Sequence, residues 1–206
     1  MRLMRTEHLI RSGAFATSAE GLEIVEEIRA GIAEVVWPVG AREFTINPIK
    51  NGNGVTPIKH DFVRHLASKG WRTEMRIRIG DLAPGPLDAV KTLSDGRMFA
   101  VEWETGNISS THRAINKMAL GMLRNELCGG IIVLPTRAMY PYLTDRVGNY
   151  EEIAPYFEVW RSWPHVQGLL AVIAVQHDAE SDDVPLIPKG TDGMHHFGAS
   201  RIRAQL

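Results

Sequence analysis

The sequence predicts an α/β domain in which helices flank a mixed central sheet. Two observations support this fold class. Apolar residues recur at helical spacing in several segments, and short alternating or wholly apolar runs lie between those segments. The chain has 206 residues, of which 44 % are hydrophobic and 23 % are charged. This composition can supply one sizeable core, so we expect a single domain over residues 1–206, with a loop-rich tail from about residue 177.

The first half of the chain is predicted to be mainly helical. The expected elements, in order, are a helix over 18–36, an extended segment over 42–47, a tight turn at 51–54 and a helix over 57–69. Pro57 suits the first turn of the second helix, because its missing N–H would be unpaired there in any case. Gly70 suits the end of that helix.

The second half is predicted to supply most of the sheet. The expected elements are strands at 71–79, 87–92 and 98–104, a long helix over 109–127, a strand at 131–134, a helix near 150–161 and a strand over 168–176. The sequence Ser94-Asp95-Gly96 predicts a hairpin turn between the second and third strands. Three strands in antiparallel succession, followed by strands linked through helices, predict a mixed sheet.

Composition excludes several classes of protein. Cys128 is the only cysteine, so the chain is not a disulfide scaffold, and we expect a buried thiol in a reducing, cytoplasmic location. The longest apolar runs are much shorter than the about 20 residues that a membrane span needs, so no membrane partner is expected. The first 20 residues lack a continuous apolar stretch and are not typical of a secretory signal.

The formal net charge of −1 by itself disfavours a nucleic-acid partner, because such domains usually carry a basic excess. The charges are unevenly distributed along the chain, however. Between residues 64 and 79 five basic side chains accompany a single acid, Glu74, whereas acids cluster over 178–183. We therefore expect a basic inner surface and an acidic outer surface, so the net value excludes nothing about function.

The predicted hairpin carries carboxylates in a pattern that suits a metal ion. Asp88 lies on one strand, and Glu102 and Glu104 lie on its partner. Because side chains alternate faces along a strand, the two glutamates point the same way and Trp103 points away. A register that places Asp88 opposite them makes three carboxylates converge, and Glu74 on the preceding strand adds a fourth. Such a cluster needs a neutralising cation, and hard oxygen ligands suit Mg²⁺. The alternative is a solvated strand face.

Five colinear segments resemble the BamHI family of type II restriction endonucleases, which belongs to the PD-(D/E)xK superfamily. They are FTINPIKNGNGVTPIK, GPLDAVK, EWETGNISSTHRAINKMALGML, YLTDRVGNYEEIAPYFEVW and VPLIPKGTDGM. The resemblance covers roughly residues 37–194. It implies a restriction-endonuclease-like core of the PD-(D/E)xK type and a single endonuclease domain.

The resemblance implies roles for the four carboxylates. Asp88 and Glu102 match metal-binding residues of the family, and Glu74 matches a further glutamate on the metal side. Glu104 matches the residue that positions or deprotonates the attacking water, at a place where the superfamily pattern has lysine. The implied cofactor is Mg²⁺, with Mn²⁺ as a substitute and Ca²⁺ as an inhibitor.

The resemblance also implies residues that read DNA bases. They are Asn107, Ser109 and Arg113 at the start of the long helix, and Asp145 and Arg146 in the fourth segment. Arginine pairs well with guanine, asparagine with adenine and aspartate with cytosine, which is consistent with the GGA half-site and the palindrome GGATCC of the family. Considered without the resemblance, Arg113 is equally a surface residue, and Asp145 with Arg146 is equally a helix cap.

Two further residues are expected near DNA. Lys59 resembles a family residue that contacts a phosphate directly or through water, and Asp192 one that approaches the minor groove. A palindromic site implies a homodimer on double-stranded DNA, in which each subunit cuts one strand to a 5′-phosphate and a 3′-hydroxyl. The resemblance also implies a partner DNA methyltransferase.

The sequence leaves three other classes of protein open. One is a repair or recombination nuclease on the same core, which would prefer branched or damaged DNA. The second is a DNA-binding module without catalysis, and the third is a protein-interaction domain that binds no duplex.

Overall fold

The computed structural model describes residues 1–79, 85–144, 147–163 and 165–190. Among these residues, six strands form a central sheet, and helices cover both of its faces. The strands are β1 (Arg2–Ser12), β2 (Thr45–Ile46), β3 (Arg72–Arg76), β4 (Pro86–Thr92), β5 (Met98–Trp103), β6 (Leu127–Pro135), β7 (Gly168–Gln176) and β8 (Ala179–Glu180). The helices are α1 (Ala19–Ala33), α2 (Thr56–Ser68), α3 (Ile108–Leu123), α4 (Tyr150–Ile153) and α5 (Phe157–Arg161).

The central sheet is mixed, as the sequence predicts. Its strand order is β1-β7-β6-β5-β4-β3, and β2 pairs separately with β8. The pairs β1–β7, β3–β4 and β4–β5 are antiparallel, whereas β5–β6 and β6–β7 are parallel. Every residue of β6 is buried, because both faces of this central strand are covered.

Two hydrophobic clusters fill the spaces between the sheet and the helices. On one face α1 and α2 pack against Phe99, Val101 and Trp103 of β5. On the other face α3, α4 and α5 pack against residues such as Ala100 and Ile132. Alternation along β5 therefore places Trp103 in the core and turns Glu102 towards the side of α3.

The hairpin between β4 and β5 forms at the predicted turn. Leu93 N–H donates to the carbonyl of Arg97 at 2.8 Å, and Gly96 N–H donates to that of Leu93 at 3.0 Å. Gly96 has a φ of 85°, which glycine adopts without steric strain. The turn thereby determines which residues of β4 and β5 face each other.

Two predicted helices differ from the structure. The helix predicted over 109–127 ends at Leu123, because Asn125 adopts a left-handed φ of 57°. The helix predicted near 150–161 is interrupted by a 3-10 turn at Ala154–Tyr156. Pro155 lies in that turn and has no N–H to continue the helical hydrogen bonds.

Strand β1 was not predicted. Its residues pair with β7 over nearly the whole length of the strand, but the register shifts twice, between Leu3 and Arg5 and between His8 and Ile10. These shifts interrupt the strict alternation of apolar and polar residues by which a strand is usually detected. The tail predicted to be loop-rich from about residue 177 contains only the two-residue strand β8 among its described residues.

Candidate active site at the end of the β4–β5 hairpin

Asp88 and Glu102 lie across from each other at the open end of the β4–β5 hairpin. Ala89 pairs with Val101, and the next positions outward along the two strands are Asp88 and Glu102. The side chains of both residues line one open cleft of about 390 Å³. The structure therefore brings these two predicted carboxylates together.

The carboxylate of Asp88 is buried, and both of its oxygens accept hydrogen bonds. Lys59 Nζ donates to Oδ1 at 2.6 Å, and the N–H of Trp103 donates to Oδ2 at 2.8 Å. Lys59 is on α2, so this ion pair joins α2 to β4. Lys59 was predicted to contact DNA, and in the structure its ammonium group lies within the cleft beside a predicted metal ligand.

Glu102 forms an ion pair with Lys117, a residue that the sequence analysis did not identify. Lys117 Nζ lies 2.5 Å from Oε1 of Glu102 and also donates to the carbonyl of Pro86 at 2.9 Å. Burial, followed by the negative charge of Asp88, raises the pKa of Glu102 to about 7, and the ammonium group of Lys117 opposes this rise. The sequence feature that could have identified Lys117 is its position on the apolar stripe of an amphipathic helix.

Glu104 follows β5 and lines the same cleft as Glu102. Its Oε1 accepts a hydrogen bond of 2.7 Å from the N–H of Gly106. Burial raises the pKa of Glu104, and the hydrogen bond from Gly106 opposes the increase. As predicted from strand alternation, Trp103 between the two glutamates points away, into the core, where its ring lies 5.0 Å from that of Phe62.

Glu74 lies on β3 beside Asp88 but is largely exposed. Thr73 pairs with Ala89 and Met75 with Leu87, so Glu74 stands opposite Asp88 in the register. Its Oε1 is 3.4 Å from Nζ of Lys59, and its side chain is 58 % exposed. Among the described residues, no group of three or more acidic, histidine or cysteine side chains is arranged to hold a metal ion. Among the described residues, Lys59 links Glu74 to Asp88, because its ammonium group lies near both carboxylates.

The start of α3 forms one wall of the cleft. Asn107 caps the helix, because its Oδ1 accepts a hydrogen bond from Ser110 N–H at 3.1 Å. Ser109 and Arg113 are exposed on the first turns, and Arg113 also lines the cleft. The structure thus places Arg113 in the cleft with the carboxylates, and Asn107 and Ser109 at the start of the same helix. The predicted residues Asp145, Arg146 and Asp192 lie outside the described residues.

Cys128 lies on β6, and its side chain is fully buried. Its Sγ donates to the carbonyl of Met98 at 3.3 Å, and burial raises the pKa of the thiol to about 12. This matches the expected buried thiol. It gives no support for a nucleophilic cysteine, which needs a lowered pKa.

Comparisons with known proteins identify relatives along most of the chain. The protein family described as Restriction endonuclease BamHI matches residues 1–194. Type II restriction enzyme OkrAI of Oceanobacter kriegii is 52 % identical over 195 residues, which cover 94 % of this chain and 98 % of that protein. Type II restriction enzyme BamHI of Bacillus amyloliquefaciens is 40 % identical over 176 residues, which cover 82 % of this chain and 80 % of that protein.

The fold is similar to that in a crystal structure of restriction endonuclease BglII complexed with a DNA 16-mer. The TM-score is 0.60, with 11 % sequence identity over 85 % of this chain and 79 % of that chain. At this identity the similarity concerns the fold alone.

No helix among the described residues is long and apolar enough to cross a membrane.

The family match and the two relatives place the protein in the class of type II restriction endonucleases, which are site-specific deoxyribonucleases, and the mixed sheet agrees with this class. Within that class the family match and the two relatives agree. The chain belongs to the BamHI family of restriction endonucleases.

Proposed function

We propose that the protein cuts double-stranded DNA at GGATCC, as a homodimer and with Mg²⁺, by hydrolysis to 5′-phosphate and 3′-hydroxyl ends. The observation that carries this proposal is the placement of Asp88 and Glu102 across one hairpin, in a cleft bounded by the start of α3. The DNA 16-mer in the BglII structure supports DNA as the substrate of such a fold.

The residues present fit a divalent cation. The carboxylates of Asp88 and Glu102 are hard oxygen donors, and each forms an ion pair with a lysine, which supports a site that favours positive charge. Mg²⁺ is commonly held by one or two carboxylates together with waters and substrate phosphates, so a third protein carboxylate is not required. When bound, the ion would supply Lewis acidity and lower the pKa of a bound water. We expect Mn²⁺ to substitute for Mg²⁺ and Ca²⁺ to inhibit cleavage. We also expect Glu74, on β3 beside Asp88, to contribute to metal binding.

Glu104 is the proposed general base. Its carboxylate lies in the cleft, and the N–H of Gly106 holds one of its oxygens in place. A raised pKa makes a carboxylate a better proton acceptor at neutral pH, which is the property that deprotonation of water requires. The other oxygen of Glu104 can accept that proton while the hydrogen bond to Gly106 keeps the group oriented.

The start of α3 is the proposed base-reading surface. Arg113 and Ser109 are exposed there, and the N-terminal N–H groups of a helix favour a nearby phosphate. Asn107 uses its Oδ1 as a helix cap and retains its amide N–H groups for a base or a phosphate. Asp145 and Arg146 are proposed to read the remaining bases of the half-site, and Asp192 is proposed to reach the minor groove.

A second copy of the chain is proposed to complete the palindrome. The resemblance to the family implies that the helices near 109–127 and 150–161 pair across the dimer. Exposed apolar side chains lie on these segments: Leu123, Tyr156 and Val159. Such a dimer gives each half-site its own copy of the cleft. We place the enzyme in the cytoplasm with a DNA methyltransferase that protects host sites.

The proposal can be tested by digestion of sequenced plasmids with Mg²⁺, followed by mapping of the ends. We expect cutting at GGATCC and resistance of sites altered in one base pair. Preferential cutting of branched or damaged DNA would instead indicate a repair nuclease. Duplex binding in Ca²⁺ without cleavage in Mg²⁺ would indicate a binding module, and failure to bind any duplex would indicate a protein-interaction domain.

A further inference from the structure

Lys117 is a buried charged residue on the core-facing side of α3. Its side chain is only 8 % exposed, and its neighbours on the helix, Ala114, Met118 and Gly121, are buried. An ammonium group is unfavourable in such surroundings unless partners compensate for the lost hydration. Lys117 therefore occupies a position where a leucine or methionine would normally pack. Specific hydrogen-bond partners compensate its buried charge there.

The partners of Lys117 belong to the two strands that carry the carboxylates. Nζ donates to Oε1 of Glu102 on β5 and to the carbonyl of Pro86, the first residue of β4. Pro86 stands two residues before Asp88. One ammonium group thus links α3 to β4 and β5 at the end of the hairpin where the cleft opens.

The two carboxylate oxygens of Glu102 differ in their hydrogen bonding. Oε1 is held by Lys117, whereas no hydrogen bond to Oε2 occurs among the residues that the structure describes. Asp88 differs, because Lys59 and the N–H of Trp103 each hold one of its oxygens. Holding Oε1 from the helix side leaves Oε2 available to the cleft.

We propose that Lys117 is a positioning residue that orients Glu102, so that Oε2 faces a divalent cation in the cleft. This inference rests on the proposed function, in which Glu102 is a metal ligand. The ammonium group beside Glu102 comes from helix α3, on which Lys117 lies.

The test compares K117M, which removes the ammonium group, with K117Q, which retains a hydrogen-bond donor. Mn²⁺ binding to the whole protein is titrated by electron paramagnetic resonance of the free ion, without DNA. Loss of a group that orients a metal ligand weakens metal binding or activity by about 10- to 100-fold. We expect K117M to bind Mn²⁺ about 10-fold or more weakly than the wild type, and K117Q to recover part of the loss.

A matched control separates positioning from packing. M122A removes a buried side chain from the next turn of α3, and Met122 does not line the cleft. We expect M122A to lower the thermal midpoint while leaving Mn²⁺ affinity unchanged. If K117M lowers the midpoint as M122A does but binds Mn²⁺ like the wild type, Lys117 is merely structural and the inference is wrong. If K117M does not fold, the thermal midpoint and the Mn²⁺ affinity of K117Q are compared with those of M122A and the wild type in the same way.

E102Q distinguishes failure of this inference from failure of the proposed function. Loss of Mn²⁺ binding in E102Q together with unchanged binding in K117M and K117Q would overturn the role of Lys117 alone. Unchanged Mn²⁺ binding in E102Q would overturn the metal assignment and the inference with it. Weakened binding in both E102Q and K117M, with no further weakening in the double variant, supports the inference because the two residues then act through one interaction.

Discussion

The side-chain amide of Asn53 donates a hydrogen bond of 2.9 Å to the carbonyl of Tyr142, 89 residues further along the chain. The same amide donates to the carbonyl of Asn47 at 2.8 Å, and its oxygen accepts from Ile187 N–H at 3.1 Å. The main-chain carbonyl of Asn53 accepts from Thr144 N–H at 2.7 Å. One fully buried asparagine therefore holds together the segments that lead into the proposed DNA-reading residues.

Replacement of Asn53 by alanine should destabilise the protein. The carbonyl of Asn47 and the N–H of Ile187 lose this partner in a buried region, and each unsatisfied group costs about 1–3 kcal/mol. We expect the free energy of unfolding, measured in urea, to fall by roughly 2–4 kcal/mol. The exposed Glu23 on α1 supplies a control, and E23A should stay within about 0.5 kcal/mol of the wild type. A stability loss in N53A no larger than that of E23A would contradict the structural role.

Replacement of Glu102 by alanine should separate DNA binding from cleavage. The variant loses a proposed metal ligand but keeps the residues at the start of α3, so specific binding in Ca²⁺ should persist. Single-turnover cleavage in Mg²⁺ should fall by more than about 100-fold. D95A, at the turn end of the same hairpin, should cut normally. Cleavage by E102A at the wild-type rate would exclude Glu102 from the metal site.

Replacement of Arg113 by alanine should relax sequence discrimination. A base-reading arginine contributes about 1–3 kcal/mol, so cleavage of GGATCC should weaken more than cleavage of a site altered at the contacted base pair. The measurement is the ratio of kcat/KM for cognate and altered plasmids. Arg124, exposed at the other end of α3, is the matched control. An unchanged ratio in R113A would show that Arg113 does not read a base.

Replacement of Val159 by glutamate should weaken the proposed dimer. Val159 is 54 % exposed on α5, and a charge there opposes burial of the apolar surface against a second copy. Sedimentation velocity should show a larger monomer fraction in V159E than in the wild type. V39E changes another exposed valine, outside both proposed pairing segments, and should sediment like the wild type. Equal dimerisation of V159E and V39E would show that the dimer interface does not include Val159.

Cys128 should resist alkylation in the folded protein. Burial raises its pKa to about 12, so the neutral thiol predominates at pH 8. Iodoacetamide at pH 8 should leave the native protein unmodified by mass spectrometry. The denatured protein, whose thiol has an ordinary pKa, should react fully. Rapid modification of the native protein would contradict the burial of the thiol.

Local chemistry explains why part of the site was predictable. The Ser94-Asp95-Gly96 turn determines the hairpin register, and the register with the alternation of β5 brings Asp88 opposite Glu102. Asn107 was predicted to read a base, and in the structure its side chain caps α3. Neighbouring residues therefore contained enough information for the hairpin and for the start of α3.

The remaining part of the site depends on packing between distant segments. Lys117 meets Glu102 only because α3 packs on that face of the sheet, and a lysine on an apolar stripe does not show which strand it will face. Lys59 likewise meets Asp88 only through the packing of α2 beside β4. Strand β1 was missed because its partner, β7, lies at the other end of the chain and two register shifts obscure its pattern.

The sequence by itself determined the mixed α/β fold and the carboxylate pair, because turns, strand alternation and helical periodicity act over a few residues. The family followed from the resemblance of five segments. Only the tertiary structure decided which cations neutralise those carboxylates and which buried asparagine joins the loops behind the proposed DNA-reading segments. The physical reason is that a buried charge or amide is stable only beside a complementary partner, and helix and strand packing selects that partner from distant parts of the chain.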